Sequence, residues 1–187
     1  MVYLASTSPR RKEILSMLLT DFSQVSPQVE EKEYPQLTPK EKAVRLSKDK
    51  CIAAVNHIRR KGMVVIASDT VVDLEGRVLE KPKDRQDAVA TISALSGKVH
   101  HVYSAVTVYK AGKIYTFCDD TVVHFDTVPA EIIQQYADTS EPYDKAGGYA
   151  IQGFMGKYIP KIEGDYYNVV GLPLEKLKNL LIFLEIL

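Results

Sequence analysis

Excess charge is the first thing this sequence lacks. Lys and Arg together number 24, Asp and Glu together number 24, and the formal net charge over 187 residues is zero. Such a chain has no global source for the counterion-driven attraction behind non-specific nucleic-acid binding. No nucleic-acid partner is expected, and any affinity for phosphate must be built locally. Cysteine is scarce too. Cys51 and Cys118 stand far apart without CxxC spacing, which speaks against zinc or thiol redox chemistry and for two reduced thiols. The only long apolar run, LKNLLIFLEIL at the C-terminus, is too short and too charged to cross a bilayer. The N-terminus shows no basic segment leading into an apolar stretch. The sequence therefore reads as cytoplasmic, with no membrane partner. It has no internal repeats or linker, and its length suits one domain with a substantial core.

Several catalytic signatures are also missing. The absence of G-x-x-x-x-G-K-[ST] excludes a P-loop protein, and the glycines of GGYAIQGFMG do not fit G-x-G-x-x-G. No G-x-S-x-G elbow supports a serine hydrolase. His100 and His101 are strand neighbours that face opposite ways, so they cannot chelate as a pair, and His57 and His124 have no visible partner.

What is present alternates helix with strand. Val2 to Ala5 reads as a strand, and Ser8-Pro9 as a helix N-cap and first turn, with Ile14, Leu15, Leu18 and Leu19 as the buried stripe. Thr38-Pro39-Lys40-Glu41 has capping-box spacing and opens a helix that runs to about Arg60. MVVIASDTVVDL is a central strand with a hairpin turn at Gly76. Asp84 caps a helix through Leu95, stopped by Ser96-Gly97. HHVYSAVTVYK and KIYTFCDDTVVHF flank Ala111-Gly112 as an antiparallel hairpin. Helices are also expected from Pro129 to Tyr136 and from Leu174 to Leu187. Because hairpins intrude on the alternation, the expected fold class is α/β with an extended mixed sheet and flanking helices.

Some residues look misplaced for a purely structural role. Ser-Pro-Arg-Arg sets free amides, a helix dipole and two guanidiniums around one point, which suits a phosphate; the plain alternative is that Ser8 only caps and the arginines meet Glu13 or solvent. Spacing cannot rank Arg10 against Arg11. Asp69 interrupts an apolar strand, where an unpaired carboxylate is costly, unless it merely ends the strand. Alternation sends Asp69 and Thr70 to opposite faces, so a shared site would need the strand to end or bulge between them. Lys50 falls inside the apolar arc of its helix, aimed inward, where it either snorkels to solvent or meets an anion or carboxylate. Glu30, Glu31 and Lys81 add charges in loops. Cations for phosphates and carboxylates for a divalent metal together suit chemistry on a metal-bound nucleotide.

LASTSPRRKEIL, SDTVV, LEKP, EPYDKAGGYAIQG and IEGDYYNVVGLPL occur in the order and at the separations of the Maf family of nucleoside triphosphate pyrophosphatases, which the chain resembles over nearly its whole length. The resemblance implies two lobes around a cleft, a single two-lobed domain over 1–187, and a fold similar to inosine triphosphate pyrophosphatases. It implies hydrolysis of a nucleoside triphosphate to the monophosphate and pyrophosphate with Mg²⁺ or Mn²⁺. By motif, Asp69 resembles the family's general base, Glu31 a carboxylate orienting metal or water, both of them metal ligands, and Ser8, Arg11, Lys50 and Lys81 the phosphate cradle. Arg10, Thr70 and Gln152 match the branch acting on dTTP and UTP, and modified pyrimidine nucleotides are further expected substrates. An aspartate is a weak base toward bulk water, so the implied role calls for a metal that acidifies the water. The alternative to catalysis is a nucleotide-sensing module acting on septum formation and cell-division arrest. A homodimer is compatible with the sequence, which does not decide the assembly. One departure stands out: GGYAIQG replaces the family's usual GAYGIQG, and the loop before Gln152 would be strained if Ala150 had to adopt positive φ.

Overall fold

The protein is described by a computed structural model over residues 1–29 and 34–187. Its elements run β1 (Val2–Ala5), α1 (Pro9–Ser16), β2 (Phe22–Val25), α2 (Pro39–Ile58), β3 (Val64–Leu74), β4 (Arg77–Leu79), α3 (Arg85–Leu95), β5 (Val99–Lys110) and β6 (Lys113–His124). Then come α4 (Ala130–Ala137), three 3₁₀ turns (Glu141–Asp144, Ala146–Gly148 and Phe154–Tyr158), β7 (Lys161–Glu163), α5 (Tyr166–Val170) and α6 (Leu174–Phe183). The capping box at Thr38 and Glu41 forms, and α2 ends at Arg59 in the left-handed region, slightly before the expected boundary. β2, β7, α5 and the three 3₁₀ turns were not expected. The closing helix stops at Phe183.

The strands build one seven-stranded mixed sheet in the order β2-β1-β3-β5-β6-β7, with β4 attached to β3. β1 is parallel to β2 and to β3, whereas β3, β5, β6 and β7 are antiparallel in sequence across the sheet. The two edges of β3 differ. On one, β5 pairs without a break from Val64 to Asp73. On the other, β1 pairs only Val64 to Ala67 and β4 only Val72 to Leu74. Ser68 to Val71 thus have a ladder on one side and none on the other, a window in the sheet between the end of β1 and the start of β4.

The same window divides the core. On one face of β3, Ile66 packs with Leu4, Leu15, Val106, Leu172 and Leu181 under α1 and α6. Further along that face, Val72 and Leu74 pack with Ile92, Leu95, Phe125 and Tyr149 under α3 and α4. Between them on the period-two face come Ser68 and Thr70, and on β5 Ser104 lies between Val102 and Val106. Two apolar cores therefore flank a polar band. The opposite face is covered by α2, whose buried positions Ala43, Ser47, Cys51 and Ala54 are small and let the helix lie close to Val65 and Ala67. Both thiols are unpaired, and burial raises that of Cys51 to about 12 and that of Cys118 to about 11. Among the described residues no helix is long and apolar enough to cross a membrane.

His100 and His101 face opposite ways, as alternation requires. His101 is half-buried and meets Asp120, and His124 finds a partner in Glu163 on β7. His100 is buried, with Nε2 hydrogen-bonded to Tyr149 Oη at 2.6 Å, and its Nδ1 has no partner among the described residues. Burial, assisted by His101, lowers its pKa from 6.5 to about 4. Between these values the unfolded chain binds a proton that the folded chain refuses, so the stability held above pH 6.5 falls as the pH drops toward 4. We expect wild type to lose on the order of 2–3 kcal/mol more between pH 7 and 4.5 than His100→Gln, as read by urea denaturation at each pH.

Candidate active site

The site starts at the N-terminus of α1. Ser8 caps the helix by accepting from Arg11 N at 3.4 Å, and its own amide donates to Ser6 Oγ at 3.2 Å. That cap sets where α1 begins. Arg11 crosses to the polar band, where Nε donates to Gly171 O at 2.9 Å and Nη2 to Thr70 Oγ1 at 3.0 Å, with Nη1 3.5 Å from Ser6 Oγ. Arg10 diverges toward the segment after α4 and lies close enough to help hold the Asp144 carboxyl down. Burial pushes that carboxyl up, but hydrogen bonding and charge from Lys145, with the charge of Arg10, leave it below its usual range.

A directed chain of hydrogen bonds holds Arg11 in place. Ser104 Oγ lies 2.8 Å from both Thr70 Oγ1 and Asn168 O. A carbonyl can only accept, so the one Ser104 hydroxyl proton goes to Asn168 and the Thr70 proton goes to Ser104, leaving Thr70 Oγ1 to accept from Arg11. Asn168 is fully buried; its Oδ1 accepts from Ser104 N, and its Nδ2 donates to Val102 O and Thr121 Oγ1. Gly171 sits at φ +122, and a Cβ there would lie 3.3 Å from both Arg11 Nε and Thr70 Oγ1. Only glycine lets this carbonyl reach the guanidinium without strain or crowding.

Asp69 and Lys50 meet from the other face. Lys50 projects inward from α2, as its place on the helix requires, and Lys50 Nζ donates to Asp69 Oδ1 in an ion pair. The Asp69 side chain is 11% exposed and that of Lys50 is 25% exposed, so the pair is largely withdrawn from water yet open on one side. β3 neither ends nor bulges between Asp69 and Thr70. The two side chains do face opposite ways, and both border the window where β3 is paired on one edge only. Arg11 and Asp69 feel each other there: burial lowers the Arg11 pKa, the Asp69 carboxylate opposes this, and Arg10 adds to it.

The remaining expected residues are placed differently. Lys81 is exposed after β4 and makes no hydrogen bond or ion pair with Arg11, Lys50 or Asp69. Its neighbours join it to the second core: Glu80 O accepts from Gly147 N, and Pro82 packs against Gly148. Gln152 is exposed in the turn closed by Gly153 N donating to Ala150 O. The positive φ values of that segment fall on Gly147 and Gly148, not on Ala150, so the exchange of Ala and Gly does not strain the loop. Glu31 lies outside the described residues. Ser104, Asn168 and Gly171 are contributors that sequence reasoning missed. The one available signal was a polar residue inside an apolar strand, which Ser104 shares with Asp69.

The profile of the Maf-like protein family matches residues 1–183. The chain belongs to the Maf family. Over 183 residues it is 45% identical to the dTTP/UTP pyrophosphatase of Aliivibrio fischeri, with 96% of each chain covered. It is 43% identical to the protein of that name from Carboxydothermus hydrogenoformans, covering 94% of each, and 42% identical to that from Bacillus velezensis, covering 92% of this chain and 90% of the other. Among solved structures, the Ham1 protein of Staphylococcus aureus superposes with a TM-score of 0.49 at 12% identity, over 98% of this chain and 97% of that one.

Proposed function

We propose that this Maf family member hydrolyses dTTP and UTP, and modified pyrimidine nucleotides, to the monophosphate and pyrophosphate. The observation that carries the reading is the sheet window, where Asp69 pairs with Lys50 on one face and its charge acts on Arg11, which bonds Thr70 on the other. It is supported by the names of relatives that match nearly end to end. In this reading the triphosphate tail lies at the window, Ser8 and Arg11 grip it from α1, Lys50 balances it from α2, and Lys81 reaches it from the second core. Asp69 takes the proton of the attacking water, the water oxygen joins phosphorus, and the bond to the pyrophosphate oxygen breaks. Preorganised cations stabilise the charge that gathers on the departing group. Arg10, Thr70 and Gln152 set base preference, with the Gln152 amide suited to the donor and acceptor edge of uracil or thymine. The Thr70 hydroxyl proton is committed to Ser104, so Thr70 meets a base only as an acceptor.

Mg²⁺ or Mn²⁺ is the proposed cofactor. Among the described residues no three His, Cys, Asp or Glu side chains gather to hold a metal, but Mg²⁺ commonly uses one or two carboxylates together with substrate phosphates. Asp69 fits that mode, with Glu31 as the second carboxylate. When bound, the ion would offset phosphate charge and acidify the water.

The test is incubation of purified protein with a panel of nucleoside triphosphates and either metal, followed by chromatography. Monophosphate and pyrophosphate from dTTP and UTP are expected, with purine triphosphates turned over more slowly. Release of orthophosphate and diphosphate would overturn the bond assignment.

A further inference from the structure

Gly153 follows Gln152 directly and has φ −98 and ψ −164, a backbone any residue adopts. Its lack of a side chain therefore needs another cause. A Cβ built on Gly153 would lie 1.9 Å from Glu141 Oε1 and 2.7 Å from Glu141 Cδ. The carboxylate occupies the space a side chain would need, and it does so to accept from Phe154 N at 3.1 Å through Oε1 and 3.3 Å through Oε2. Upstream of Gln152, Tyr136 donates to Gly148 O at 2.9 Å. The same tyrosine stacks on Phe154, with ring centroids 5.9 Å apart and planes at 20°, and Tyr149 is held by His100 in the core. The turn is thus held on both sides, through Gly148 and Tyr149 before it and Phe154 after it, and Gln152 is presented to solvent.

We infer that Glu141 is a positioning residue for pyrimidine recognition: its carboxylate clamps the Phe154 amide, fixes the turn that carries Gln152, and excludes any side chain at Gly153. This deepens the proposed function and rests on its assignment of Gln152 to the base. Loss of the clamp leaves the phosphate grip and Asp69 untouched, so it loosens the hold on the base more than it slows the chemical step.

The test is a double-mutant cycle on the full chain. Glu141→Ala and Gly153→Ala should each raise KM for dTTP and UTP about tenfold, leave kcat within about twofold, and narrow the preference over ATP and GTP. Because Gly153→Ala acts by displacing the carboxylate, the double variant should be no worse than Glu141→Ala alone. Glu141→Gln keeps a carbonyl acceptor and should stay closer to wild type. Hydrogen exchange at the Phe154 amide should accelerate in both alanine variants, independently of any activity. Additive effects in the double variant, an unchanged Phe154 amide, or a fall in kcat at constant KM would each overturn the inference. If Glu141→Ala does not fold, Phe154 exchange in Glu141→Gln and Gly153→Ala decides the matter. If wild type turns over neither pyrimidine, the proposed function falls, while the exchange measurement still decides the clamp.

Discussion

Asp69→Asn should lower kcat for pyrophosphate release from dTTP by about 10²–10⁴-fold, the range a positioned general base supplies. Asparagine keeps the volume and an oxygen that can accept from Lys50 Nζ, so the fold and the face under α2 should survive. It removes the negative charge and the capacity to take a proton. Lys50, whose side chain is one quarter exposed, can turn partly toward water, which limits the cost of leaving it unpaired. Nucleotide binding by calorimetry should persist, and circular dichroism should be unchanged. A nucleotide sensor, by contrast, would have no wild-type turnover for this substitution to remove.

Arg11→Lys should lower kcat/KM about 100-fold for all substrates alike, without changing the preference for pyrimidines. Arg11 uses Nε and Nη2 to bridge Gly171 O and Thr70 Oγ1, which fixes the plane of the guanidinium. A single ammonium cannot bond both groups and still face a phosphate. The stability cost should be smaller than the catalytic one, on the order of 1–2 kcal/mol, because Gly171 O also accepts from Ser68 Oγ at 2.9 Å and is not left unsatisfied. Comparing thermal melts with steady-state kinetics separates the two effects. A base-dependent loss would move Arg11 from the phosphates to the nucleoside.

The parts of this molecule that were legible in its sequence are those decided locally. The capping box of α2, the inward aim of Lys50 and the turn at Ala111-Gly112 each depend on residues a few positions apart. β2 and β7 are short, four and three residues long, and exist because a neighbouring edge offers them a ladder; FSQV and KIE carry little pattern of their own. Arg10 and Arg11 could not be ranked because the deciding groups, Gly171 and Thr70, lie 160 and 59 residues away. That Asp69 and Thr70 border one gap in the sheet was hidden for a similar reason. Alternation along β3 was right, but where β1 stops and β4 begins is a property of the sheet.

The β5–β6 hairpin pairs continuously from Val99 and His124 to Lys110 and Lys113, and β5 contributes Val102 to one core and Val106 and Val108 to the other. A girder shared by both halves resists any jaw-like swing between them, since creasing it would break ladder bonds in several strands at once. Nucleotide traffic is then governed by the short segments bordering the window, and turnover should be insensitive to solvent viscosity wherever those segments are already seated.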